Sequence, residues 1–185
     1  MDKKFLPLFP LKLVAFPGEQ LNLHIFEPRY KELVNECVNQ QTTFGIPVFN
    51  EEIKDYGAEM EVIEVVKTYD GGEMDIFTKC VGAFKIDEFE EKAPGKLYSR
   101  GLVKPLENIQ NGDDLQWAKL RSLAKELVVV LQMDEDFDVD LLTGSFELAH
   151  KLGLSLDQEY DMLQMPEEAM RQEYMINHLE RAIPL

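Results

Sequence analysis

Basic residues are scarce: 19 Lys and Arg stand against 35 Asp and Glu, a formal net charge of −16 at pH 7, with no basic cluster along the chain. Nucleic-acid binding draws much of its affinity from phosphates neutralised by Lys and Arg, so this balance counts against DNA or RNA as partners. It counts against an anionic membrane surface for the same reason. A basic peptide or an unfolded segment bearing Lys and Arg would instead be attracted, and the same acidity also serves plain solubility. Apolar runs are short, none approaching the roughly 18 residues of a membrane span, and the opening MDKKF leads into strand-like sequence with two prolines, unlike a signal-peptide core. The expected compartment is the cytoplasm. Only two cysteines occur, Cys37 and Cys80, which match neither a disulfide framework nor a paired metal spacing and are expected as small buried hydrophobes.

The usual carriers of catalysis are missing too. A P-loop cradles phosphates with a glycine-rich turn ending in Gly-Lys-Ser/Thr; the sole Gly-Lys here, Gly95-Lys96, is followed by Leu97 and lacks the upstream glycine. The four serines, Ser99, Ser122, Ser145 and Ser155, lie in no nucleophile elbow, and two of them sit where helix caps are expected. The three histidines, His24, His150 and His178, fall in different elements without an H-x-x-x-H pair, so no zinc site is expected. The acidic run DEDFDVDLLTGSFE, residues 134–147, comes nearer to a metal loop. Counted from Asp136, it offers Asp138, Asp140 and a twelfth-position Glu147, but Leu141 stands where the sharp turn wants glycine and Thr143 replaces the apolar eighth residue. A solvated loop is the expected reading, and no cofactor or metal is expected.

What is present is a chain of 185 residues, 45% hydrophobic and 29% charged, enough for a packed core and unlike a disordered composition. Phe9, Leu11, Leu13 and Ala15 alternate with Pro10, Lys12, Val14 and Phe16 at the period of a strand, and Pro17-Gly18 suits a type II turn. Leu21, Leu23 and Ile25 resume the alternation, and Pro28 marks the first turn of a helix with Tyr30, Leu33, Val34, Cys37 and Val38 on one stripe. Residues 43–49 read as a strand that Pro47 places at an edge or a bulge, where an extended peptide could add by backbone pairing. An acidic loop is expected over 50–56. Strands over 59–69 and 73–81 are joined by Asp70-Gly71-Gly72, and further strands follow over 83–89 and 96–106. In the strand over 59–69, Met60, Val62, Glu64 and Val66 alternate with Glu61, Ile63, Val65 and Lys67. The frequency of strands suggests a partly closed β-barrel.

The pattern changes at 108–114, where Asn, Gly and Asp cluster, dividing a β-rich subdomain over 1–107 from a helical bundle over 108–185. Asp113 or Asp114 caps a helix carrying Leu120, Leu123, Leu127, Val130 and Leu131; its Val128-Val129-Val130 run favours a strand, but the flanking spacing makes it helix. A second helix is expected from Ser145 to a stop at Gly153, a third behind the capping box Ser155-Leu156-Asp157-Gln158, and a fourth from Pro166 with Ala169, Ile176, Leu179 and Ile183 on one face.

Phe26, Glu27, Arg29 and Tyr30, at the junction of strand and helix, are the candidate contacts for a peptide or protein partner. On one reading an Arg and a Glu flanking a proline, beside two aromatic rings, line a peptide-binding cleft. On the other, Glu27 and Arg29 only cap or pair within the helix start while Phe26 and Tyr30 sit in the core.

The pieces LPLFPLKLVAFPG at 6–18 and LNLHIFEPRY at 21–30 resemble the LON domain, the amino-terminal substrate-binding domain of ATP-dependent Lon proteases, and HIFEPRY is most similar to small bacterial proteins made of that domain alone. Similarity continues through FGIPVF at 44–49, the strands around Asp70-Gly71-Gly72 and the helical tail. The resemblance implies an α+β fold, a PUA-like β-barrel with one short helix joined to a helical bundle. Lon peptidase chemistry uses a serine activated by a lysine in a separate, following domain, and the sequence stops at Leu185 before one begins, so no enzyme is expected. The implied role is non-catalytic binding of exposed or unfolded polypeptide, with a protease or adaptor protein as a further partner. The alternatives are an adaptor with one dedicated partner and a small-molecule or RNA module of the kind PUA-like barrels form elsewhere, the charge counting against RNA.

Overall fold

The computed structural model describes residues 2–130 and 138–183, and the chain divides into two compact units, Met1–Leu106 and Glu107–Leu185.

Among its described residues, unit 1 holds strands β1 (Lys4–Leu8), β2 (Gln20–Ile25), β3 (Phe44–Asn50), β4 (Glu52–Thr68), β5 (Met74–Glu90) and β6 (Ser99–Pro105), with one helix, α1 (Pro28–Gln40), between β2 and β3. Sheet order is β2-β5-β4-β3-β1-β6, and β6 pairs back onto β5, so five strands form a ring of ladders from which β2 extends. β5 makes this possible: residues 74–79 pair with β2, residues 84–90 pair with β6, and β4 runs along much of the length between. Gly82 does not divide β5 into two strands; the register shift there leaves Val81 as a bulged residue.

The segment 9–16 departs from the expected strand. β1 lies earlier, and beyond it the backbone only accompanies β3: the Phe9 N–H donates to the Gly45 carbonyl (2.8 Å), the Leu11 N–H to that of Pro47 (3.3 Å), and the Phe49 N–H to that of Leu11 (2.8 Å). Pro10 has no N–H for a ladder, and the buried residues Val14, Ala15 and Phe16 are consecutive. These contacts also overturn an edge position for β3, which is flanked by β4 and by the 9–11 backbone. Pro47 is accommodated instead by a register irregularity between Pro47 and Phe49. The Pro17-Gly18 turn forms as expected, with Gly18 at φ +93° and the Glu19 N–H donating to the Phe16 carbonyl at 2.9 Å.

The acidic stretch after Asn50 is not a loop. Residues 52–56 begin β4, and the chain reverses tightly at Glu51, with Asn50 opposite Glu52. β4 also breaks simple alternation. Register shifts between Val62 and Glu64 and between Val65 and Lys67 each insert one residue, so Met60, Val62 and Val65 meet the core while Ile63 and Val66 are exposed. α1 begins at Pro28 and buries Tyr30, Leu33, Val34 and Cys37; Val38 falls outside the stripe. Both cysteines are buried, and burial pushes their thiols up to about 11 for Cys37 and about 12 for Cys80.

Unit 2 contains α2 (Asp114–Val130), a 3-10 turn (Val139–Leu141), α3 (Ser145–Ala149), α4 (Leu156–Leu163) and α5 (Glu168–Ala182), with α2 and α3 packed on α5. The Asp113 carboxylate accepts the Gln116 N–H (2.8 Å), and both halves of the Ser155–Gln158 capping box are made. Val128, Val129 and Val130 are helical, although Val129 and Val130 are exposed, and Leu131 lies outside the described residues. α3 is shorter than its pattern suggests, ending at Ala149 with turns carrying the chain to Gly153 at φ +76°. Ser145 is not a cap: it is the first residue of α3, buried, with Gly144 at the N-cap.

α5 is buried along a partly polar stripe of Glu168, Arg171 and Gln172 followed by Met175, Ile176 and Leu179. Ala169 and Ile183 are only half-buried. Arg171, 1% exposed, donates to Glu168 (2.9 Å), the Met165 carbonyl (2.8 Å) and Asn108 (2.9 Å), and its guanidinium lies 4.2 Å from the Phe146 ring centroid. Glu168 accepts the backbone N–H and the hydroxyl of Ser145, each at 2.9 Å. Periodicity alone does not show this stripe, because its charges are tolerated inside only when each finds its partners.

Two substitutions test these arrangements. A Cβ at Gly57, opposite Pro47, would stand 2.4 Å from the Ile46 carbonyl oxygen and 2.6 Å from the Pro47 Cα, both backbone atoms that cannot swing away. Gly57→Ala should therefore cost about 1–3 kcal/mol in urea unfolding. Arg171→Met leaves a buried carboxylate without its cation and should cost about 3–5 kcal/mol, much of it recovered when Glu168→Leu is added. Paired denaturation curves of the single and double variants read that recovery.

Candidate functional site

The junction at which β2 becomes α1 is built by alternation and a proline. Leu21, Leu23 and Ile25 turn toward the core, so Asn22 and His24 face outward, and the same period carries Phe26 outward one residue beyond the strand. Glu27 keeps an extended backbone as N-cap (φ −71°, ψ 137°), and Pro28 opens the helix where a missing N–H costs nothing. The Glu27 carbonyl accepts the N–H groups of Tyr30 (3.0 Å) and Lys31 (2.9 Å).

The four predicted residues separate into two groups. Arg29 donates to the Glu27 carboxylate through Nε (2.9 Å) and lies within 2.8 Å of it through a second nitrogen, while its guanidinium carbon sits 4.6 Å from the Tyr30 ring centroid. Tyr30 is in the core, 6% exposed, its ring centroid 4.0 Å from that of Phe9, and burial raises its phenol above the ordinary value. Phe26, 60% exposed, belongs elsewhere, beside two residues the sequence reading did not select. Its ring stacks on His24 (6.0 Å, 24°), which meets Tyr69 edge-on (5.8 Å, 79°).

Asp75 ties this aromatic group together. It stands opposite His24 across β2 and β5 and opposite Lys67 across β4 and β5; one carboxylate oxygen is 2.6 Å from His24 Nδ1 and the other accepts the Tyr69 hydroxyl at 2.7 Å. Lys67 Nζ lies 4.2 Å from the Tyr69 ring centroid. The adjoining hairpin loop is held to α1, because Lys31 donates to the Gly71 carbonyl (2.8 Å). His24, Tyr69 and Asp75 come together only through the registers of β2 and β4 on β5. Their signal is weak: an outward histidine two residues before Phe26, and a tyrosine just before Asp70-Gly71-Gly72.

Chemically this is a surface of aromatic faces and paired charges. The other histidines sit apart, His150 against Glu159 (2.6 Å) and His178 against the Leu152 carbonyl (3.1 Å). In the acidic run, Asp134 and Asp136 lie outside the described residues. Asp138 accepts the Asp140 N–H, Asp140 pairs with Lys125 at 2.7 Å, and Glu147 accepts from Thr143. Among the described residues, no group of three or more His, Cys, Asp or Glu side chains is placed to hold a metal ion, and no helix is long and apolar enough to cross a membrane.

The fold is a mixed α+β architecture of the kind found at the amino terminus of Lon proteases. The family model of the ATP-dependent protease La (LON) substrate-binding domain matches residues 5–181, spanning both units, and the chain belongs to that family. A Lon N-terminal domain protein from Xanthomonas campestris is similar at 25% identity and a TM-score of 0.72, over 98% of this chain and 99% of that one. The N-terminal domain of the Mycobacterium avium complex Lon protease shares the fold at 15% identity and a TM-score of 0.72, over 97% and 100%. No curated protein matches the sequence.

The Asp75 carboxyl is held below the 3.8 of an ordinary aspartate, first by the His24 hydrogen bond and then by that of Tyr69. A lowered folded pKa means that this contribution is complete above the ordinary value and is lost as pH falls through the wild-type midpoint. In His24→Ala the midpoint, followed by carboxyl NMR, should rise toward 3.8; an unmoved midpoint would mean that His24 does not set it.

Proposed function

We propose that this protein is a non-catalytic polypeptide-binding module that receives exposed or unfolded segments along the outer edge of β2, with Phe26 as the apolar anchor. The observation that carries this reading is the position of β2: it is the terminal strand of the pairing order, among the described residues its ladder is with β5 alone, and the residue after it is an exposed phenylalanine. An extended segment added there gains backbone hydrogen bonds whatever its sequence, while alternate side chains meet Phe26, His24 and Tyr69. Glu27 and Arg29 form a charged rim, and Tyr30 supports the junction from beneath. Membership of a substrate-binding family supports the assignment, as does an acidic surface that attracts basic segments.

On this reading the ring of strands is a PUA-like barrel, the two units together make one LON domain, and the protein acts in the cytoplasm, passing bound segments to a protease or adaptor. Neither nucleic acid nor membrane is a partner, and the chain hydrolyses neither ATP nor peptide bonds.

Fluorescein-labelled decapeptides of unrelated sequence, followed by anisotropy, test the assignment. Binding should be weak, saturable and tolerant of sequence, with amide shifts along 20–26. Phe26→Ser should weaken all of the peptides in parallel by about tenfold, the loss expected when one aromatic contact is removed. Absence of peptide binding, together with recovery of one stoichiometric folded partner, would replace this reading with that of a dedicated adaptor.

A further inference from the structure

α1 joins two features of unit 1. Its first turn follows Phe26, and its last turn borders an open cleft of about 410 Å³ whose lining includes Val38, Thr42, Glu61, Val62, Ile63 and Glu64. The cleft exists because β4 is irregular there. An unbroken alternation would send Ile63 outward and Glu64 inward, but the bulge between Val62 and Glu64 leaves both on the outer side, Ile63 50% exposed beside Val38, itself 40% exposed, on the helix. Bulges that re-aim a side chain in this way are over-represented beside functional sites.

The two charged residues that line the cleft, Glu61 and Glu64, are both carboxylates. Glu61 and Glu64 make no ion pair among the described residues; Lys79 stands opposite Glu61 in register without pairing with it. The carboxyl end of α1 carries no basic residue in its last turn, so the partial negative charge of its terminal carbonyls is uncompensated by the helix itself. The Cys37 thiol, pushed up to about 11 by burial, is neutral and adds no charge of its own. A cleft that sets Val38 and Ile63 beside two carboxylates in an otherwise largely polar lining matches a side chain with an apolar stem and a cationic head, which is the anatomy of Lys and Arg.

We propose that the cleft between the last turn of α1 and the bulged stretch of β4 is a subsite for a Lys or Arg side chain of an extended polypeptide, with an adjoining aliphatic residue against Val38 and Ile63. The inference rests on the polypeptide-binding reading above and specifies the substrate class: basic and apolar residues in proximity. Spacing is compatible with that class. The thirteen residues of α1 separate Phe26 from the cleft by about 18 Å of helix axis, which five or six extended residues span.

Three labelled decapeptides, identical except for Lys, Gln or Glu at one position beside a leucine, distinguish the outcomes when titrated against the full chain. The Lys peptide should bind more tightly than the Gln peptide by up to about fivefold per carboxylate. That preference should shrink with added salt. Amides of residues 37–42 and 61–65 should shift on titration with the Lys peptide. Glu61→Gln with Glu64→Gln should abolish the preference for Lys over Gln, and an unchanged melting temperature would show that the fold is kept. Equal binding of all three peptides, or shifts that spare 37–42 and 61–65, would overturn the subsite while leaving polypeptide binding intact. Failure of every peptide to bind would remove both proposals together.

Discussion

β5 must satisfy three neighbours, and the arrangement of unit 1 follows from how it does so. A straight strand has two edges and accommodates two partners; β5 serves β2 and β4 along its first half, and β4 and β6 along its second. It changes partner by bending at register shifts that leave Val81 and Asp87 as extra residues, where local twist increases. Closing the ring in this way uses the edges of β3, β1 and β6 and, among the described residues, leaves β2 with an unpaired one. The open edge and the aromatic group beside it are thus consequences of the same strand.

Unit 2 rests on a different kind of constraint. The Arg171–Glu168 pair is buried with hydrogen bonds to Met165, Asn108 and Ser145, drawing the start of α3 and the segment before α2 onto the first turns of α5. A purely apolar interior could supply comparable stability, since desolvating two charges offsets much of their attraction. What the ionic version adds is directionality: each guanidinium and carboxylate bond is made by one named group.

The two proposed contact regions share a physical origin. Both arise where the sheet departs from regularity, at the end of β2 where alternation runs past the last ladder residue, and at the β4 bulge that leaves Ile63 and Glu64 outward together. Regular strands bury one face and hide it, whereas interruptions bring apolar side chains to the surface beside charged ones. α1 connects the two regions and is anchored on the core by Tyr30, Leu33, Val34 and Cys37, so neither region depends on a loose segment for its position.

Local rules were sufficient wherever one residue's backbone chemistry decides the outcome. Pro28 opens α1, Pro17 and Gly18 make their turn, Ser155 and Gln158 cap α4, and the alternation of Leu21, Leu23 and Ile25 assigns the faces of β2. The same local reading failed where the answer lay with a partner distant in sequence. Residues 9–16 alternate like a strand but are held by β3 as irregular backbone, Pro47 signals an edge that residues 9–11 cover, and β4 loses its period to bulges set by pairing with β5. Of the candidate site, Phe26 and the Glu27–Arg29 pair were legible from the junction motif, and Tyr30 was named but is a core residue. His24, Tyr69 and Asp75 come together only when register places His24 opposite Asp75, because a cross-strand contact depends on which residues face each other, and spacing along one segment does not encode that.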